Sequence, residues 1–227
     1  VITAVLFDMD GVVIDSRTVI ESVWARVLAR RTGRDLSRRD IDEHVHGRVG
    51  SHTVAALFPD HPTAHAEIWA EADELEQSAT YDLIPGVHAL LRALAAARVT
   101  TGLVTGSAAG KTRAATRALD IRFATVITRE DVRNAKPHPE PYERACANLG
   151  VRPEDVLVFE DSHSGVQAAR AAGARCVGIG DDPALLEAGA LATITDFTHL
   201  TVRTDSAGTH LESHDFGLTL SPGCPQA

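Results

Sequence analysis

Short apolar runs recur along this chain, each followed by a helical pattern, and this alternation constrains the fold more than any other feature. Residues 2–7 (ITAVLF), 99–104 (VTTGLV), 156–159 (VLVF) and 175–179 (RCVGI) read as buried strands, with a weaker run at 125–127. Helical patterns cover 87–97, 109–119, 139–149 and 164–172, several of them ending in glycine. Strand and helix in alternation mean a parallel sheet with helices on its faces, the α/β class.

The spacing breaks once. No strand is legible between Phe7 and Val99, although connections in such sheets usually run ~2–6 residues, so something is inserted there. Its first segment puts Val19, Ile20, Val23, Trp24, Val27 and Leu28 on one helical face and Arg17, Arg26, Arg30 and Arg31 mostly on the other, an amphipathic helix. Helical stretches around 40–46, 51–57 and 63–79 follow, and both tryptophans lie in this region. Residues 16–81 therefore read as a small all-helical domain inserted into a core of residues 1–15 and 82–227, with Pro85-Gly86 marking the return. From about Asp205 the chain is rich in Ser, Thr, Gly and His, and reads as a ragged terminus with one short strand.

Four polar clusters stand at or just beyond the ends of apolar runs: Asp8 with Asp10, Thr105-Gly106-Ser107, Lys136, and Glu160-Asp161. The C-terminal strand ends of an open parallel sheet form one crevice, so residues far apart in sequence converge there. The set suits phosphoryl transfer. Carboxylates hold Mg²⁺ through hard oxygen ligands. A hydroxyl, backbone N–H groups and one ammonium cradle phosphate oxygens as charge shifts in the transition state. Residues two apart in extended chain point to the same side, so Asp8 and Asp10 can divide the labour. Asp8 would attack phosphorus, while Asp10 protonates the leaving alkoxide and later takes a proton from the attacking water.

Charge narrows the partners. With 22 Lys+Arg against 31 Asp+Glu the net charge is −9, which argues against holding nucleic acid or an anionic membrane by bulk charge. Cys146, Cys176 and Cys224 are too few and scattered for a disulfide scaffold. No apolar stretch approaches the ~20 residues of a membrane span, and no basic run leads into an apolar segment at the start. A cytoplasmic monomer is the expectation. Only Lys111 and Lys136 are lysines among the 22 basic residues. A lysine kept before Pro137 in such an arginine-rich chain implies a need for a compact point charge rather than a planar fork. Lys111, near a helix start with no motif around it, reads as a surface residue.

Residues 8–16 (DMDGVVIDS) resemble the first motif of the haloacid dehalogenase superfamily, in its phosphatase and phosphomutase branch. Val104-Thr105-Gly106-Ser107 resembles the second, residues 136–142 (KPHPEPY) the third, and Phe159-Glu160-Asp161-Ser162 with Gly165 the fourth, all in the family's order. The resemblance implies a Rossmann-like parallel-sheet core with an inserted helical cap that closes over the substrate. It implies that Asp8 is the nucleophile and a metal ligand. Asp10 would be the acid/base and would bind Mg²⁺ through its backbone carbonyl, and Glu160 and Asp161 would complete the metal site. Thr105, Gly106, Ser107 and Lys136 would hold the phosphoryl group. Arg48, in His46-Gly47-Arg48, matches a cap segment that recognises substrate in sugar and polyol phosphatases of this branch.

Alternatives separate on named residues. Dehalogenases of the class lack the second aspartate of the first motif, and Asp10 is present. Phosphonoacetaldehyde hydrolases need a cap lysine, and none lies within 16–81. β-Phosphoglucomutases carry a His where this chain has Ile20, and also a cap lysine. A non-catalytic binder would have lost site positions, and none is lost. His61 and His65 have i, i+4 spacing without a paired carboxylate, so a zinc site is not expected. The cap arginines read as a solvated face. The expectation is an Mg²⁺-dependent phosphatase of a small sugar or polyol phosphate acting through an aspartyl phosphate, with a mutase as the alternative.

Overall fold

A strand buried on both faces anchors the molecule: β1 (Ala4–Phe7) has all four residues buried, as strands inside a parallel sheet must be. The structure, a computed structural model, describes all residues except 47, 49, 119–121, 207, 215 and 223–227, and the side chain of residue 118. Gly47 and Cys224 thus lie outside the described residues. After β1 come β2 (Ile14–Asp15), α1 (Arg17–Thr32), α2 (Arg38–Asp40), α3 (Gly50–Leu57), α4 (His65–Gln77) and β3 (Asp82–Leu83). Next are α5 (Val87–Ala96), β4 (Thr100–Val104), α6 (Ala109–Ala118), β5 (Thr125–Ile127), α7 (Glu140–Leu149), β6 (Val156–Glu160) and α8 (His163–Ala171). The chain continues through β7 (Arg175–Ile179), α9 (Ala184–Glu187), β8 (Thr193–Ile194), β9 (Thr201–Asp205), β10 (Gly208–Glu212) and β11 (Gly217–Leu220).

These elements form two compact units, Val1–Ile14 with Leu83–Ala227, and Asp15–Asp82. The second is helical. Val23, Trp24, Val27 and Leu28 of α1 pack with Val54 and Leu57 of α3, Phe58, and Ile68 and Ala72 of α4 in one apolar cluster. Trp24 and Trp69 stack with ring centroids 6.2 Å apart. The arginines expected as a solvated face are mostly exposed, and five of them carry surface ion pairs. Arg30 reaches Glu71, Arg31 reaches Glu67 and Glu71, Arg34 reaches Asp40, and Arg38 and Arg39 pair with Asp42 and Glu43 one turn on. Exposed pairs of this kind add little stability. Their consequence is that the charge of Arg30, Arg31, Arg34, Arg38 and Arg39 is met locally by acidic partners.

The first unit holds a six-stranded sheet in the order β5-β4-β1-β6-β7-β8, parallel throughout and the Rossmann-like α/β architecture expected. Phe7 stands opposite Leu103 on one side and Phe159 on the other. Phe7, Phe159 and Phe197 pack ring against ring, at 5.3 Å and 5.1 Å between successive centroids. The chain runs outward from β1 through β4 and β5, then crosses back to β6 on the opposite side. This reversal next to β1 opens a crevice at the carboxyl ends of the central strands.

The C-terminal region differs from the expected ragged tail. β9, β10 and β11 form an antiparallel three-stranded sheet. Ile2 N donates to the Thr219 carbonyl and Ser221 N to the Ile2 carbonyl, tying the chain start to β11. The period-2 pattern was carried by Thr209 and Leu211, both buried. With threonine in place of one apolar residue, the alternation is hidden in a polar composition. Among the described residues no helix is long and apolar enough to cross a membrane.

Candidate active site

The strand ends place the polar clusters. Asp8 follows β1 directly, Thr105 follows β4, and Glu160 is the last residue of β6, and these three strands are neighbours. Asp8 is 7% exposed and Glu160 fully buried. Between them stands Lys136, whose Nζ donates to Asp8 Oδ1 at 2.6 Å, to Glu160 Oε1 at 2.6 Å and to the Val104 carbonyl at 2.9 Å. An ammonium has three protons, and here each meets an acceptor at the end of a different strand.

Glu160 is gripped on both oxygens. Tyr142, fully buried on α7, donates its hydroxyl to Oε1 at 2.6 Å, and its ring lies 5.2 Å from Lys136 Nζ, within cation–π range. Ser162 Oγ donates to Oε2 at 3.1 Å and also accepts from Gly165 N, capping α8. The backbone must come close for this. A Cβ on Gly165 would stand 1.9 Å from the Glu160 carboxyl carbon.

Asp161 lies against the turn after β1. Gly11 has φ +73°, and a Cβ there would meet Asp161 Oδ2 at 2.0 Å, so only glycine lets the turn and this carboxylate share the space. Asp8, Glu160 and Asp161 each offer a carboxylate oxygen, all within 4.8 Å of one another. Burial raises the Asp8 carboxyl to about 7, helped by the charges of Glu160 and Asp10 and opposed by Lys136. Asp161 is raised well above the usual carboxylate range, first by burial and then by Asp8, Glu160 and Asp10. Burial pulls Lys136 down, but Asp8 and Glu160 outweigh it and hold the ammonium above its ordinary value. Asp8 and Asp161, both raised within one carboxylate cluster, form a site that a cation would relieve.

The second cluster is arranged differently from the sequence expectation. Thr105 is buried, and its hydroxyl accepts from Ser107 N at 3.0 Å, a local turn that leads into α6. Gly106 is exposed, with nothing within 4 Å of a Cβ built on it. Ser107 Oγ, expected on a phosphate, donates to Asp10 Oδ2 at 2.6 Å. Lys111 is no surface residue. It is 3% exposed, and its Nζ donates to Asp10 Oδ1 at 2.8 Å. The partner of Lys111 is distant in sequence, so its immediate neighbours do not mark it as buried. Its i, i+4 spacing from Ser107 and its rarity beside twenty arginines were the available signals. Tyr142, which lies within the third motif without a role read from the sequence, joins the site through Glu160. Arg48, in the helical unit, is exposed, and its Nε donates to the Glu43 carbonyl at 3.2 Å.

A parallel α/β sheet with aspartates, a lysine and an acidic pair at its carboxyl edge defines a hydrolase of the phosphoryl-transfer type. The family model described as haloacid dehalogenase-like hydrolase matches residues 5–179, and the chain belongs to that family. It is 34% identical over 207 residues to the validoxylamine A 7'-phosphate phosphatase of Streptomyces hygroscopicus subsp. limoneus, covering 82% of this chain and 91% of that protein. It is 30% identical over 203 residues to a phosphorylated carbohydrates phosphatase of Thermotoga maritima, covering 84% and 93%. A solved structure described as a putative β-phosphoglucomutase from Thermotoga maritima superposes with a TM-score of 0.70 at 30% identity, covering 85% and 94%.

Proposed function

We propose that this phosphoric monoester hydrolase acts on a small phosphorylated sugar or polyol through an aspartyl phosphate. The observation that carries the reading is the convergence of Asp8, Lys136 and Glu160 at the ends of adjacent strands, Lys136 Nζ being 2.6 Å from each carboxylate. Asp8 is the nucleophile. Its carboxylate oxygen bonds to phosphorus as the ester P–O bond breaks, and the leaving oxygen takes a proton from Asp10. Asp10 then removes a proton from the water that attacks the aspartyl phosphate, releasing inorganic phosphate. The Gly106 N–H and the hydroxyl of Thr105 hold the phosphoryl oxygens, and Lys136 joins them when the phosphoryl group takes the place of one of its three acceptors.

Asp8, Asp161 and the Asp10 backbone carbonyl would hold Mg²⁺. Glu160 would join them directly or through water, its Oε1 already carrying Lys136 and Tyr142 and its Oε2 accepting from Ser162. The hard oxygen set fits that ion, and bound there it would neutralise charge on the transferring phosphoryl group. The helical unit, with Arg48, serves as the cap that selects the substrate and excludes water. The two phosphatases named above, one of validoxylamine A 7'-phosphate and one of phosphorylated carbohydrates, support this substrate class.

A phosphosugar mutase is the second reading, favoured by the likeness to the putative β-phosphoglucomutase. A panel of hexose, hexitol and glycerol phosphates, assayed with Mg²⁺ for both free phosphate and isomer formation, tests both. Phosphate release that Asp8→Asn abolishes is the expected result. Isomerisation of glucose 1-phosphate without release would establish the mutase, and no turnover of any ester would overturn both readings.

A further inference from the structure

Both oxygens of Asp10 are held from one segment. Ser107 Oγ donates to Oδ2 at 2.6 Å and Lys111 Nζ to Oδ1 at 2.8 Å, and the two donors stand four residues apart where α6 begins. Lys111 is buried, with 4% of its side chain exposed, whereas the Asp10 side chain is 26% exposed. The lysine is therefore fixed, and the carboxylate it holds keeps an open side. Neither contact touches the phosphoryl-binding groups around Lys136, which is occupied by Asp8, Glu160 and Val104.

We infer that Lys111 is the positioning residue for the acid/base Asp10, reserving one carboxylate oxygen for the proton. This rests on the proposed role of Asp10. An ammonium only donates hydrogen bonds, so the oxygen bound to Lys111 is not the one that carries the proton. The proton sits on Oδ2, where the Ser107 hydroxyl can donate or accept and so suits both states. In the first step Asp8 forms its bond to phosphorus and the P–O ester bond breaks. The leaving oxygen keeps that electron pair and takes the Oδ2 proton. In the second step water returns a proton to the same oxygen. Lys111 stays bonded to Oδ1 throughout and fixes the carboxyl plane.

The dependence on leaving group separates this role from a merely structural one. A sugar alkoxide needs its proton, whereas 4-nitrophenolate leaves without one. The experiment compares wild type, Asp10→Asn, Lys111→Met and the double variant on 4-nitrophenyl phosphate and on the best substrate among glucose 6-phosphate, a hexitol phosphate and glycerol phosphate. Lys111→Met is expected to lose ~10–100-fold in kcat/KM on the alkyl ester, within the range of general acid catalysis. It should lose under ~3-fold in kcat/KM on the nitrophenyl ester, because kcat/KM reports formation of the aspartyl phosphate and not its hydrolysis, which both esters share. The double variant should be no slower than Asp10→Asn, because Lys111 acts through Asp10. Lys111→Gln, which keeps a donor, should recover part of the loss, and it replaces Lys111→Met should that variant not fold. Equal loss on both esters, no loss, or an additive double variant would overturn the inference. If Asp10→Asn shows the selective loss and the Lys111 variants do not, the inference fails and the role of Asp10 stands. If Asp10→Asn itself shows no selective loss, the role of Asp10 fails and the inference with it.

Discussion

Lys136 Nζ lies 2.6 Å from Asp8 Oδ1, and the same ammonium binds the ends of two other strands through Glu160 and Val104. One charge thus locks Asp8, the proposed nucleophile, to the sheet. Lys136→Met should lower kcat by ~10²–10³-fold, the usual loss for one preorganised donor. Lys136→Arg should not restore it, since a planar fork cannot meet three acceptors arranged around a point charge. Steady-state kinetics on both variants checks this, and near-wild-type rates in the arginine variant would contradict it.

Burial of Asp8 predicts how metal and proton compete. Its carboxyl titrates near 3.8 unfolded and at about 7 folded. Between those values the folded state binds the extra proton. Stability of the metal-free protein therefore falls as pH rises through this window. A divalent cation binds the ionised form and displaces the proton. The gain in Tm on adding Mg²⁺ should be larger at about pH 8 than at about pH 6, as measured by thermal unfolding in both buffers. Equal gains would show that Asp8 is not part of the metal site.

Gly165 and Glu160 share a space that admits no methyl. A Cβ at 1.9 Å from the carboxyl carbon meets a group already pinned by Lys136 and Tyr142. Gly165→Ala should cost ~1–3 kcal/mol and several degrees of Tm, with a loss of activity as Glu160 and Lys136 shift. Gly217→Ala, with nothing within 4 Å, is the control and should leave Tm unchanged.

Tyr142 separates ring from hydroxyl. Tyr142→Phe keeps the fully buried ring and deletes the donor to Glu160, which should cost ~1–2 kcal/mol. Tyr142→Ala also opens a cavity and should cost ~3–5 kcal/mol. Chemical denaturation of both variants measures the difference, and equal losses would assign all of the effect to the hydroxyl.

Much of the molecule was legible because its signals were periodic or ordered. The central strands are apolar runs that end at the sheet edge, so Asp8, Thr105 and Glu160 could be placed at one edge from the sequence. The apolar face of α1 could be read because Val23, Trp24, Val27 and Leu28 repeat at helical spacing and are buried. Three features were hidden for distinct reasons. β10 puts Thr209 on its buried face, so its pattern does not stand out by hydrophobicity. Lys111 pairs with Asp10 from 101 residues away, and its i, i+4 spacing from Ser107 puts the two side chains on one side without naming the partner they share. Ser107 has a hydroxyl that suits a phosphate or a carboxylate equally, and only three-dimensional placement chooses between them.

The central claim is that Asp8 carries the phosphoryl group. Rapid acid quench of a single turnover, followed by peptide mass analysis, tests it most directly. The account predicts one phosphoryl group on the peptide containing Asp8 in the wild type, and neither adduct nor phosphate release in Asp8→Asn. A phosphoryl group on any other residue, or hydrolysis by Asp8→Asn at the wild-type rate, would contradict it.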